Sequence, residues 1–406
     1  MAKKLATLLL ALSMLLLNGC GDGGDAGERQ GLFETLADKI ALLLPGPGRR
    51  SGETRDETQA TPTPSPEPVD ITPENAELLY CRALLDQEMR QDYDRILYGI
   101  EKHWEVITDL KSDSDGLTRI VGYIYADNPQ LFWFTGGGMS STYDAFADGS
   151  FAPVYSLSEA KARQDQAVID ARVSAFLSGV PEEASDYDKA LAVFEFVVLN
   201  TVYDLSLENN SIANVLVRGT GICGCYSKTT QYLLNLLGVQ CVTVSGTSTD
   251  VLGTQNHAWN LVRLDGEWYW LDSTWGDPMS TDGLTQERID YGYFCVTTEM
   301  IRGDHAVDDS FPVPDCTATA CNYYVHNGLL LEGYDYYAVR DIFYAAAEAG
   351  AREARMRFTG YEAYNEALYD LLTNEKVFQI YYDSWGSTQC SCYRDDRLYT
   401  LSFILP

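Results

Sequence analysis

Three short segments between Gly221 and Pro278 constrain this chain more than any other feature: GICGCYSKTTQYLLNLLG at 221–238, NHAWN at 256–260 and EWYWLDSTWGDP at 267–278. In the first, Tyr226, Thr230, Leu233, Leu234 and Leu237 recur at helical spacing until Gly238 ends the pattern, so Cys223 stands where a helix begins, just after the turn former Gly221. A thiol at that position feels the positive end of the helix dipole and amides without helical partners. Both favour thiolate, and the same amides can cradle a developing oxyanion.

The other two segments predict a hairpin. HAWNLVRL and EWYWLDST flank Asp265-Gly266, a strong two-residue turn signal. If those two residues form the turn, Leu264 faces Glu267, His257 faces Thr274 and Asp272 faces Trp259. Strand alternation then puts His257, Trp259, Asp272 and Thr274 on one face, with His257 and Asp272 as diagonal neighbours roughly 7 Å apart at the backbone. An imidazole and a carboxylate bridge that gap. Asp272 would fix the ring's tautomer and His257 would pair with the thiol.

A cysteine opening a helix, a histidine in His257-Ala258-Trp259 and an aspartate in Asp272-Ser273-Thr274-Trp275 together resemble the transglutaminase-like superfamily, which groups transglutaminases, peptide N-glycanases and many bacterial thiol hydrolases. The likeness covers residues 185–278 and extends to YFCVTTEMIRGDH at 293–305. It implies an α+β, papain-like core in which the Cys223 helix packs on an antiparallel sheet carrying His257 and Asp272. It also implies roles: Cys223 as nucleophile, His257 as general base then acid, and Asp272 as orienter. The intermediate would be a thioester formed from an amide of a protein or peptide. Water as second substrate gives a protease or amidase and a lysine amine gives a cross-linker, and both stay open.

Cys225 departs from the family pattern, where glycine is frequent; it reads as a packing residue, half of a disulfide, or a redox partner for Cys223. A backbone amide is the expected oxyanion donor, with Tyr203 as a side-chain candidate and Trp259 as a candidate cleft wall. His305 reads as a structural hydrogen-bonding residue near the site, while His103 and His326 carry no signal. No metal and no cofactor are expected, because the triad occupies the histidine and the two C-x-C pairs lack zinc-site spacing. Cys316 and Cys321 are spaced for a local disulfide.

Around this centre the chain divides into five parts. Residues 1–19 open with MAKK and an apolar stretch from Leu5 to Leu17, shorter than the roughly 20 residues that span a bilayer. With Leu17-Asn18-Gly19-Cys20 they resemble a lipoprotein signal, implying lipidation at Cys20, an N-terminal membrane anchor and a place in the cell envelope outside the cytoplasm. Residues 20–72, ending in TPTPSPEP, predict a disordered tether interrupted by a helical pattern at 31–44.

Residues 73–184 predict a helical and mixed lead-in, with helices at 73–86, 88–109 and 157–178 and short strands around glycine turns at 131–156. Residues 185–310 are the core, opened by a helix that Ser185 caps. Residues 311–406 predict a small α+β unit, with CNYYVHNGLLLE, RMRFTG, VFQIYY and RLYTLSFIL as strands between helices. Twenty-nine basic against fifty-nine acidic residues, a net charge of −30, exclude nucleic acid as a partner; a protein or peptide substrate fits. Oligomeric state has no signature. The alternative function is an inactive, transglutaminase-like surface module that binds polypeptides.

Overall fold

Short polar side chains mark where the helices start. Asp86, Asp113, Ser158 and Ser185 each accept from the backbone amide three residues on, at Met89, Gly116, Lys161 and Asp188. They open helices α1 (Gln87–Glu101), α2 (Ser114–Asp127), α3 (Glu159–Leu177) and α4 (Asp186–Leu199). The structure, a computed structural model, describes residues 71–135, 149–207, 209–250, 253–278 and 288–405. The signal at 1–19, Cys20, the helical pattern at 31–44 and nearly all of the tether lie outside the described residues. Among the described residues, no helix is long and apolar enough to cross a membrane.

The lead-in is shorter in helix than the periodicity suggests. The predicted helix at 73–86 is a turn followed by the short helix Tyr80–Ala83, whose Cys81 and Arg82 amides donate to Asp127 at 2.9 and 2.8 Å. Helix α1 stops near Lys102 because His103 takes a left-handed conformation, φ 53°. Ile107 still reaches the core, bridged to Phe151. Of the strands expected at 131–156, the described residues hold isolated bridges, Ile107 to Phe151 and Phe134 to Tyr155; residues 136–148 lie outside them.

After α4, helix α5 (Cys223–Leu236) ends at Gly238, whose φ is +78°. A sheet follows, ordered β3-β2-β1-β4, from β1 (Cys241–Asp250), β2 (Gly253–Leu264), β3 (Glu267–Leu271) and β4 (His305–Val307), all antiparallel. Asp265 and Gly266 both have positive φ, 51° and 85°, which matches the twist of a two-residue hairpin turn. Pairing runs from Leu264 with Glu267 to Asn260 with Leu271, the register expected from the turn, and stops where Asp272 leaves the sheet.

Strand alternation splits the sheet between two cores. Val242, Val244, Trp259, Leu261 and Trp270 pack with α1 and α2. Cys241, Val262, Leu264, Tyr269 and Leu271 pack with α4 and α5. Three polar ties fix α5 in place: Asn260 Nδ2 donates to the Ser227 carbonyl at 2.9 Å, Gln231 Nε2 to the Ala126 carbonyl at 2.9 Å, and Thr243 N–H to Gln231 Oε1 at 2.9 Å.

A second sheet, β5-β6-β8-β7, is built from β5 (Leu330–Leu331), β6 (Glu353–Phe358), β7 (Ser391–Asp395) and β8 (Thr400–Ile404). Helices α6 (Tyr336–Glu348), α7 (Tyr361–Leu368) and α8 (Lys376–Trp385) accompany it, and a third core holds Phe343, Met356, Phe358, Leu401 and Phe403. VFQIYY, expected as a strand, lies in α8. Val377, Ile380 and Tyr381 are buried at helical spacing while Phe378 and Tyr382 face outward, and the aromatic run disguised that stripe. Within CNYYVHNGLLLE, Tyr323–His326 is likewise a short helix, capped by Asn322, and only Leu330–Leu331 is extended. Cys316 and Cys321 are both free thiols, drawn into different cores, so the expected local disulfide is not made.

Gly246 sets how closely β4 approaches. It pairs with His257 on one side and Val307 on the other, and a Cβ there would lie 2.1 Å from the Ala306 carbonyl oxygen and 2.8 Å from the Trp259 ring. Gly246→Ala must therefore push β4 away, at a cost of about 1–3 kcal/mol. Urea unfolding should show a lower midpoint; an unchanged midpoint would contradict this packing.

Candidate active site

Cys223 owes its surroundings to the open end of α5. Ile222, at the cap position, has no side chain to offer the helix amides, and the first turn contains no acidic residue. Cys225 and Tyr226 N–H bond back to the Ile222 carbonyl, whereas Cys223 N–H points at the phenol oxygen of Tyr203. A parallel bridge, Val202 with Thr220 and Tyr203 with Gly221, holds that tyrosine beside the thiol. Gly221 is needed for this, since a Cβ would sit 3.0 Å from Cys225 Cβ and 3.1 Å from Thr201. Burial, and then the neighbouring Cys223 thiol, push the Tyr203 phenol upward, so it stays protonated as a donor. Cys225 is a buried free thiol whose Sγ donates to the Asn209 carbonyl at 3.4 Å and lies 3.5 Å from Asn214 Nδ2.

His257 reaches both Cys223 and Asp272. Its Nε2 lies 2.7 Å from Asp272 Oδ2, and its ring is within side-chain hydrogen-bonding reach of the Cys223 thiol, which leaves Nδ1 for the sulfur. Asp272 is fully buried yet saturated: Oδ1 accepts Thr274 N–H at 2.8 Å and Trp275 N–H at 3.2 Å, and Oδ2 also meets His305 Nε2 at 3.1 Å. His305 Nδ1 lies 2.6 Å from Asp304 Oδ1. Two carboxylates, one on each nitrogen, require both to carry protons, so His305 is an imidazolium. Asp304 also accepts the Tyr293 hydroxyl, and Arg397 from the second sheet's β7–β8 turn lies 3.5 Å from it.

The charges follow from this geometry. Burial alone would push His257 down, but the Asp272 charge and hydrogen bond, then the Cys223 thiol, raise it. Burial would raise Asp272, but His257 and His305 hold its carboxyl well below the usual range. Burial opposes charge on His305 too, and its bonds to Asp272 and Asp304 overcome that and raise it.

The three residues singled out for a triad, Cys223, His257 and Asp272, are thus in one cluster, with Tyr203 beside the thiol. Trp259 does not line a cleft: it is fully buried beneath the His257 ring, edge-on to His305, because alternation along β2 turns it into the first core. His305 is far more engaged than a peripheral hydrogen bond, and the Asp304-His305 pair closing YFCVTTEMIRGDH was its only trace in the sequence. His257, Asp272 and His305 place ligand-type atoms within 4.8 Å of one another. Contacts of 2.7 and 3.1 Å to one carboxylate oxygen are those of N–H donors, and an ion with bonds of about 2.1 Å would need the groups to rearrange around it.

The cluster makes stability depend on pH at both ends. A histidine raised on folding adds stability that is complete below its unfolded value of 6.5 and is lost as pH climbs through the folded value of about 10. A depressed aspartate adds stability that is complete above 3.8 and is lost as pH falls. The stability difference between wild type and His257→Asn should therefore shrink from pH 6.5 to about pH 10 in denaturant titrations; a difference constant over that window would contradict the His257–Asp272 pair.

Residues 175–273 match the transglutaminase-like superfamily. Mouse kyphoscoliosis peptidase is 26% identical over 165 residues, 36% of this chain and 25% of its own length; the human protein is 26% identical over 144 residues, 32% and 22%. The chain thus spans about a quarter of the length of these relatives. A TGase of known structure is 20% identical, with a TM-score of 0.25 over 29% of this chain and 33% of its own. The chain carries a transglutaminase-like domain, an α+β fold with a helix set on an antiparallel sheet.

Proposed function

We propose that this protein is an exported thiol acyl-transfer enzyme acting on amide bonds of proteins or peptides, with Cys223 as nucleophile, His257 as base and acid, and Asp272 as orienter. The observation that carries the reading is His257 held between the Cys223 thiol and the Asp272 carboxylate. In the first step sulfur attacks the carbonyl carbon while the thiol proton sits on His257 Nδ1, where the ring, raised on folding, already holds it. The oxyanion forms beside Tyr203, whose hydroxyl keeps its proton to donate while its oxygen accepts the Cys223 N–H. His257 then gives its proton to the leaving amine, and a thioester remains on Cys223. Water admitted through His257 releases an acid; a lysine amine releases a cross-link. The deep burial of Asp272 and its four donors keep it an acceptor throughout, so it fixes the ring without taking the proton.

The N-terminal residues MAKK, the apolar run Leu5–Leu17 and Cys20 support lipid anchorage in the cell envelope. Free cysteines throughout the described residues keep the question of export separate from disulfide formation. Labelling with palmitate during growth should mark the wild-type chain and not Cys20→Ala; equal labelling would remove the anchor from this account.

The enzymatic claim is tested by limiting thiol alkylation read by mass spectrometry. Cys223 should label first among the cysteines at near-neutral pH, since the described others are buried or part-buried thiols raised by burial or held in hydrogen bonds. His257→Ala should slow that labelling on the order of tenfold or more. Slow, His257-independent labelling would instead favour a non-catalytic module that binds polypeptides.

A further inference from the structure

A groove opens beside the thiol, and its lining has the opposite sign to the rest of the chain. One cavity of 380 Å³ is bordered by Gly224 and Ala258, the residues that directly follow Cys223 and His257, and by Arg119 and Tyr125 of α2 and Lys228 of α5. A second cavity of 300 Å³ shares Tyr125, Asn210 and Lys228 with it, so the two form one path. Asn210 seats itself on the α5 end because Gly224 has no side chain; a Cβ there would lie 2.5 Å from the Asn210 amide carbon.

The charges along this path are unevenly satisfied. Lys161 is paired with Asp165, and Arg218 donates to Asn214 Oδ1 at 3.1 Å. Lys228 rests its ammonium 3.7 Å above the Tyr125 ring, an attraction that positions the cation without neutralising it. Arg119 is exposed, and among the described residues neither it nor Lys228 pairs with a carboxylate. A chain with fifty-nine acidic and twenty-nine basic residues would by chance line such a path with acids. Two unpaired cations on a path that starts one residue from the nucleophile are therefore a selective feature. A guanidinium takes a carboxylate through two parallel N–H bonds, and an ammonium adds a point charge.

We propose that this groove selects acidic peptide substrates, seating an Asp or Glu side chain that flanks the scissile amide on Arg119 and Lys228. The assignment rests on Cys223 as the site of attack for its position along the substrate. Its test does not need the thiol to react. The full chain bearing Cys223→Ala is mixed with two synthetic heptapeptide pools, one randomised over residues including Asp and Glu and the other with Asn and Gln in their place, and retained peptides are counted by mass spectrometry.

The acidic pool should be retained about tenfold more than the amide pool in low salt, and the gap should close in 1 M salt, where screening acts within about 3 Å. In Arg119→Gln/Lys228→Gln the preference should disappear, and in Arg119→Gln alone, a change at an exposed side chain, it should fall part way. Equal retention of the pools, or an acidic preference that survives the double substitution, overturns the groove. Loss of thiol reactivity in wild type would sink the proposed chemistry and leave this result standing.

Discussion

A carboxylate sealed away from water dictates the layout of this domain. An isolated charge at Asp272 would cost far more than the domain's margin of stability, so the chain must bring donors to it. It brings them from three directions. The turn after β3 supplies the Thr274 and Trp275 amides, β2 supplies His257, and β4 supplies His305. Gly246 permits the last of these by letting β4 lie close to β1. Removing any one contributor leaves the others facing an undercompensated charge, which ties folding and the site to the same atoms.

The network extends outward in alternating charge: the His257 ring, Asp272, the His305 imidazolium, Asp304, then Arg397. Alternation keeps the buried part near neutrality while leaving the inner carboxylate free to orient the ring that faces Cys223. Arg397 belongs to the second sheet's β7–β8 turn and also lies 5.2 Å over the Trp275 ring, so the C-terminal portion touches the same cluster. The side chains at 311–330 join the first two cores, as Phe311, Cys316 and Tyr324 show, and the third core begins at Leu331.

Much of the central fold was legible because local signals agreed with one another. Asp265-Gly266 demanded positive φ at both positions, the flanking residues alternated, and the hairpin register followed. Ser185 and Gly238 bounded helices for reasons intrinsic to caps. What was hidden depended on long-range partners. The stop of α1 at His103 has no helix breaker to announce it, and α2 is a short amphipathic segment whose buried face is defined by α1 and β1. Trp259 shares a sheet face with His257, and only the packing of α1 and α2 determines that this position is sealed. His305 could be weighed from sequence as a nearby histidine, but its partnership with Asp272 requires the β1–β4 pairing, which no local pattern encodes. The aromatic run in α8 misled because β-favouring residues were placed at helical spacing to cover a sheet.

Which nitrogens of His257 and His305 carry protons decides whether Asp272 can hold the ring toward Cys223, and nitrogen-15 NMR of histidine-labelled protein near neutral pH reads this directly. Protonated Nε2 on His257, with its proton shifted downfield by Asp272, and protons on both nitrogens of His305 are the predicted result. A neutral His257 bearing its proton only on Nδ1, or a His305 with one bare nitrogen, would contradict it, because Asp272 would then face a lone pair and could not hold the ring toward Cys223.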